Sequence, residues 1–125
     1  MSGRILIIED NQDNLQLVRF LLERLDYEVT AAYDGTTGQQ AAIDQRPDLI
    51  LMDMGIPEID GWHLAEKLKA NPQTQAIPLV ALTAYTLPGD KRRALQSGCD
   101  GYITKPINVA TFGDEIARFL QSKPG

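Results

Sequence analysis

The chain alternates short, continuous apolar runs with amphipathic stretches of helical length, and few folds accept that pattern. Residues 5–8, 49–52 and 77–82 form the strong runs, and 29–32 and 101–103 are weaker ones. Hydrophobicity that is continuous rather than alternating indicates strands covered on both faces. Between the runs, Leu15, Val18, Leu22 and Leu25 recur at helical spacing, which assigns all four to the core. Val109, Phe112, Ile116 and Phe119 repeat the pattern near the end, and 36–45, 62–70 and 86–97 are further helical stretches bounded by Gly or Pro. Five strands alternating with five helices imply right-handed βαβ units on a parallel sheet. The three strong runs belong at its centre and the weaker second and fifth at its edges. The expected fold class is therefore α/β: a doubly wound, five-stranded parallel sheet of order 2-1-3-4-5, as a single domain over residues 1–125.

Composition narrows the function. A chain of 125 residues has room for one domain, and one Cys and one His exclude a disulfide framework and any Cys- or His-rich metal centre. A formal net charge of −5 argues against nucleic acid or an anionic membrane as partner. The first apolar run is too short for a signal peptide, and no run approaches a membrane span. A cytoplasmic location is the expectation. The initiating Met and the compact end are what a complete product would show. His63 reads as a surface residue, Cys99 as a small packing residue, the 91–93 basic run as a solvated helix face and Trp62 as helix packing.

The topology points to one edge. In open α/β sheets, ligands sit beyond the carboxyl ends of the strands, where strand order reverses, here between strands 1 and 3. Strand 1 ends in Glu9-Asp10, strand 3 ends in Asp53, strand 4 ends near Thr83 and Lys105 follows strand 5. Three carboxylates gathered there would repel one another, and a bound cation relieves that. An oxygen-only donor set suits Mg²⁺ better than Zn²⁺. Such an open site suits phosphoryl chemistry, in which positioning and charge neutralisation do most of the work. A carboxylate can itself be the attacking group, and Asp53, at the end of a central strand, is the best placed. Lys105 and Thr83 would meet phosphoryl oxygens.

With these residues in place, the chain resembles the CheY-like receiver domains of two-component response regulators. The matching segments are Ile7-Ile8-Glu9-Asp10-Asn11, Asp48-Leu49-Ile50-Leu51-Met52-Asp53-Met54-Gly55-Ile56-Pro57, Asp60-Gly61, Ala81-Leu82-Thr83-Ala84, and Gly98 through Pro106. Five motifs in order, at the family's intervals, carry the resemblance from Arg4 to about Leu120. It implies that Asp53 is phosphorylated and that Asp10, Asp53 and the Gly55 carbonyl bind Mg²⁺, with Glu9 acting through water. It also implies that Lys105 pairs with the phosphoryl group, that Thr83 and Tyr102 form the switch pair, and that Pro106 is the proline after the lysine. The implied donor is a histidine kinase or histidine phosphotransfer protein. Output would pass to a protein target through the face of the fourth helix, fifth strand and fifth helix. A monomer or weak dimer is expected. The nearest kinds are stand-alone regulators of the DivK type and receivers at the ends of hybrid kinases. Two positions depart from the usual pattern: Gly55, where a larger side chain is common, and the bulky Tyr85.

Other classes fit less well. The chain would be no enzyme with a separate substrate: a phosphatase using the same carboxylates needs a second acid near the nucleophile and a cap, and neither has a place here. A nucleotide binder wants a Gly-rich turn after strand 1, where Asp10-Asn11-Gln12-Asp13 stands instead. A receiver excised from a hybrid kinase, or a phosphate-independent scaffold, is the remaining alternative.

Overall fold

Every second residue of a strand points to the same face, so a run that is apolar throughout needs a cover on both sides. Ile5, Leu6, Ile7 and Ile8 are all fully buried. Ile5 and Ile7 join Leu15, Val18 and Leu22 on one face, and Leu6 and Ile8 join Ala42, Leu64 and Leu68 on the other. The computed structural model describes residues 3–53, 61–83, 92, 96, 98–104 and 107–121, at 61, 62, 83 and 121 by backbone alone.

The strands are β1 (Arg4–Ile8), β2 (Glu28–Ala32), β3 (Leu49–Asp53), β4 (Leu79–Thr83) and β5 (Gly101–Thr104). All pair in parallel, in the order β2-β1-β3-β4-β5 expected from the apolar runs. Among the described residues there are four helices: α1 (Gln12–Arg24), α2 (Gly35–Gln45), α3 (Gly61–Ala70) and α4 (Val109–Gln121). The last is the fifth helix of the sequence pattern. The expected helix over 86–97 lies outside the described residues except at Arg92 and Gln96. Helices α1 and α4 cover one face of the sheet, α2 and α3 the other.

Two expectations are corrected. Leu25 is 43% exposed and is not core. Helix α1 stops one residue earlier: Asp26 takes φ 67°, its N–H reaches Glu23 O at 3.0 Å, and Tyr27 N–H reaches Leu22 O at 3.1 Å. That pair of bonds is a Schellman closure, which ends the helix before Leu25 and leaves its side chain at the open groove beside Gly113. Ile77 is buried as an apolar residue should be, yet it precedes β4. Its N–H is committed to Thr74 O at 3.0 Å, and Pro78 has no N–H to offer a ladder.

Ends are fixed by side chains. Asn11 caps α1 by accepting from Asn14 N–H at 3.0 Å, and Asp34 caps α2 by accepting from Thr37 N–H at 2.7 Å. At the amino-terminal end of the sheet, the Lys69 ammonium donates to Asp100 Oδ2 at 2.7 Å, Ile77 O at 2.9 Å and Gln75 O at 3.2 Å. Asp100 also accepts from Leu79 N–H at 2.7 Å, so one ion pair ties α3, β4 and the lead into β5 together. No described helix is long and apolar enough to cross a membrane.

Candidate functional site

Register delivers the acidic residues to one place. Ile8 of β1 pairs with Met52 of β3, so the next residues, Glu9 and Asp53, reach the same level on neighbouring strands. From this level β1 leads toward β2 on one side while β3 leads toward β4 on the other, which is the reversal point where a crevice opens.

Glu9 is 1% exposed, Asp53 is half-buried and Asp10 is exposed. One carboxylate oxygen from each lies within 4.8 Å of the others. The Glu9 backbone N–H donates to Ala32 O at 2.9 Å, which extends the β1–β2 ladder past the strand end. Its carboxylate accepts from Asn11 N–H at 3.4 Å. Asn11 therefore has two tasks, capping α1 through its side chain and restraining Glu9 through its backbone. In the sequence Asn11 stands out only as part of the motif after the first apolar run. An Asn directly before a helical stretch is the signal for the first task, and nothing in the pattern announces the second.

This donor set fits a hard divalent cation. It is all oxygen, contains no His or Cys, mixes one buried with two accessible carboxylates, and gathers negative charge that a cation would offset. It does not fit a soft-metal centre.

The other expected residues are placed in part. The backbone of Thr83 ends β4, with Leu82 paired to Asp53 and Thr83 paired to Thr104. Tyr102 stands half-buried on β5 opposite Ala81 and packs against the core on the α2–α3 side. The Thr83 side chain, Gly55, Tyr85, Lys105 and Pro106 lie outside the described residues. Cys99 is buried in the same core layer, as a packing residue should be, and His63 is on the surface.

A doubly wound sheet with an acidic cluster at its reversal point defines a class, and comparison with known proteins gives the same class. The family model described as the response regulator receiver domain matches residues 5–117. The chain belongs to that family: it is a receiver domain of two-component signalling, a phosphoacceptor switch. It is 39% identical over 120 residues to the polar-differentiation response regulator DivK of Brucella anthropi, a match that covers 96% of this chain and 98% of the relative. Among solved structures, it is similar to the receiver domain of a sensor histidine kinase from Pseudomonas aeruginosa, determined with a magnesium ion coordinated in the active-site cleft. That match has a TM-score of 0.89 at 34% identity and covers 98% of this chain and 100% of the other. The chemotaxis response regulator CheY4 of Vibrio cholerae matches with a TM-score of 0.89 at 27% identity, over 95% of this chain and 99% of the other. Receiver domains bind Mg²⁺ in an acidic pocket, work as signalling switches rather than as conventional enzymes, and interact with histidine kinases and downstream targets.

Proposed function

We propose that Asp53 is the phosphoacceptor of this receiver and that the cluster of Glu9, Asp10 and Asp53 is its Mg²⁺ site. The observation that carries this reading is the convergence of those three carboxylates within 4.8 Å at the reversal point of the sheet. Asp10 and Asp53 would hold the ion with the Gly55 carbonyl, and Glu9 would act through water. When bound, the ion supplies neutralisation of negative charge beside the carboxylates. An Asp53 carboxylate oxygen attacks the phosphorus of a phosphohistidine: a P–O bond forms, the P–N bond breaks, and the leaving imidazole nitrogen takes a proton from solvent. Water later cleaves the acyl phosphate, returning aspartate and inorganic phosphate. In that cycle Lys105 pairs with a phosphoryl oxygen, Thr83 donates its hydroxyl to another, and the Tyr102 ring follows Thr83.

The donor is a histidine kinase or histidine phosphotransfer protein in the cytoplasm, and the reader is a protein that docks on the β5 side, as in a DivK-like regulator. Incubation with a small acyl phosphate and Mg²⁺ tests the core of the reading. The expected result is one acid-labile, hydroxylamine-sensitive phosphoryl adduct that chelator and Asp53→Ala both abolish. An undiminished adduct on Asp53→Ala would overturn it.

A further inference from the structure

Asn11 stands between the acidic cluster and α1, and it is an exposed residue bonded on both sides. Its backbone N–H donates to Glu9 Oε2 at 3.4 Å. Its Oδ1 accepts from Asn14 N–H at 3.0 Å, and its carbonyl accepts from Leu15 N–H at 3.0 Å. The first bond faces the cluster, and the other two face the first turn of the helix. The backbone at Asn11 has φ −87° and ψ 116°, the extended conformation of a helix cap.

The bond to Glu9 is long, so it orients the carboxylate only as well as the Asn11 backbone is itself held. What holds that backbone is α1. The Oδ1 and carbonyl bonds fold residue 11 onto a helix whose Leu15, Val18 and Leu22 are buried in the core. Glu9 is anchored at its other end as well, with its N–H on Ala32 O at 2.9 Å. A carboxylate held in this way has less freedom to lose when an ion and its waters arrive. Hydrogen bonds from just outside a coordination sphere commonly decide how well a carboxylate serves a metal.

We infer that Asn11 is a positioning residue of the cation site: its side-chain cap on α1 fixes the backbone N–H that holds Glu9, so the first turn of α1 and the site tighten or loosen together. This rests on the reading of the cluster as an Mg²⁺ site, and it makes that site depend on a side chain bonded to the helix. Linkage is reciprocal, so a bound ion tightens the cap by the factor by which the cap tightens the ion.

The test is calorimetric titration of the full chain with Mg²⁺ alone, with circular dichroism to confirm folding and hydrogen exchange read at Leu15. Asn11→Ala removes the cap but keeps the backbone N–H. It raises the Mg²⁺ dissociation constant about tenfold, the low end of what loss of an outer hydrogen bond costs a metal site. Asn11→Ser offers another oxygen to the helix and returns the affinity to within about threefold of the parent. In the parent, saturating Mg²⁺ slows exchange of the Leu15 N–H about tenfold by the same linkage, and in Asn11→Ala the ion leaves that rate nearly unchanged. A residue that only stabilised the helix would lower the melting temperature and leave the dissociation constant alone. Equal Mg²⁺ affinity in the parent and Asn11→Ala overturns the inference while the Mg²⁺ site stands. An Asn11→Ser variant as weak as Asn11→Ala overturns it too, because the amide would then act on the ion directly. A parent that takes up no Mg²⁺ overturns the site reading itself, and this inference with it.

Discussion

A carboxylate oxygen of Asp10 lies within 4.8 Å of one of Asp53, although the first residue follows β1 and the second ends β3. With the buried Glu9 beside them, the arrangement stores repulsion whenever no cation is bound. Asp10→Asn removes one of the charges without changing the side chain's size. In chelator the variant is expected to melt about 3–6 °C above the parent, the shift that roughly 1 kcal/mol produces in a domain of this size. Saturating Mg²⁺ should narrow or reverse the order, because a ligand stabilises the form that binds it more tightly. Scanning calorimetry in chelator and in Mg²⁺ reads both. A variant that melts lower than the parent in chelator would show that repulsion is not the dominant effect.

Asp26 offers a gain with no bearing on the site. It closes α1 in the left-handed region at φ 67°, where glycine is the easier residue, and its carboxylate has no hydrogen bond or ion pair among the described residues. Asp26→Gly relieves the backbone but gives the unfolded chain more freedom, and the two partly cancel. Relief of a left-handed cost of about 1–2 kcal/mol, less roughly 0.5–1 kcal/mol of added chain entropy, leaves an expected net gain of about 0.5–1 kcal/mol in urea unfolding. Phosphorylation kinetics should not change.

Lys69 carries an opposite expectation. Its ammonium has three protons, and the three acceptors Asp100, Ile77 O and Gln75 O take all of them. Lys69→Met keeps the apolar stem that lies against Gly98 but leaves two carbonyls and a carboxylate without their donor. The Lys69 side chain is 20% exposed, so water replaces the donor only in part. A loss of about 1–3 kcal/mol is expected. Hydrogen exchange should quicken at Leu79 and Asp100, whose N–H groups bond across the β4–β5 entrance.

The order of the strands and the position of the site could be read from the sequence for one physical reason. A strand buried on both faces must be apolar at every position, so residues 5–8 and 49–52 announce central strands, and the first polar residues after them, Glu9 and Asp53, stand at the sheet's edge. The same rule misplaced Ile77, because burial alone does not distinguish a strand residue from a turn residue packed beneath one. Periodicity misplaced Leu25, because spacing continues past a helix end that is set by the backbone conformation of Asp26. The convergence of Glu9, Asp10 and Asp53 needed the Ile8–Met52 register, which no local pattern contains.

Gly38 shows how closely the site's support is packed. A Cβ at this position of α2 would lie 2.6 Å from Ile8 Cδ1, 2.8 Å from Cγ1 and 3.1 Å from Cγ2. Ile8 is fully buried and directly precedes Glu9, so it has no open space to retreat into. On an exposed helix, Gly→Ala gains roughly 1 kcal/mol through propensity. Here the methyl group must displace either α2 or the end of β1, and overpacking costs about 1–3 kcal/mol, so Gly38→Ala is expected to destabilise on balance. Any shift of Ile8 is passed to Glu9, and Mg²⁺ affinity, followed by calorimetric titration, should fall together with stability. Ile8→Val removes the nearest atom, Cδ1. Combined with Gly38→Ala it should recover part of both losses, a favourable coupling that a double-mutant cycle measures directly. Strictly additive effects would show that the added methyl group is accommodated by movement of α2 alone and that β1 keeps its position beneath the site.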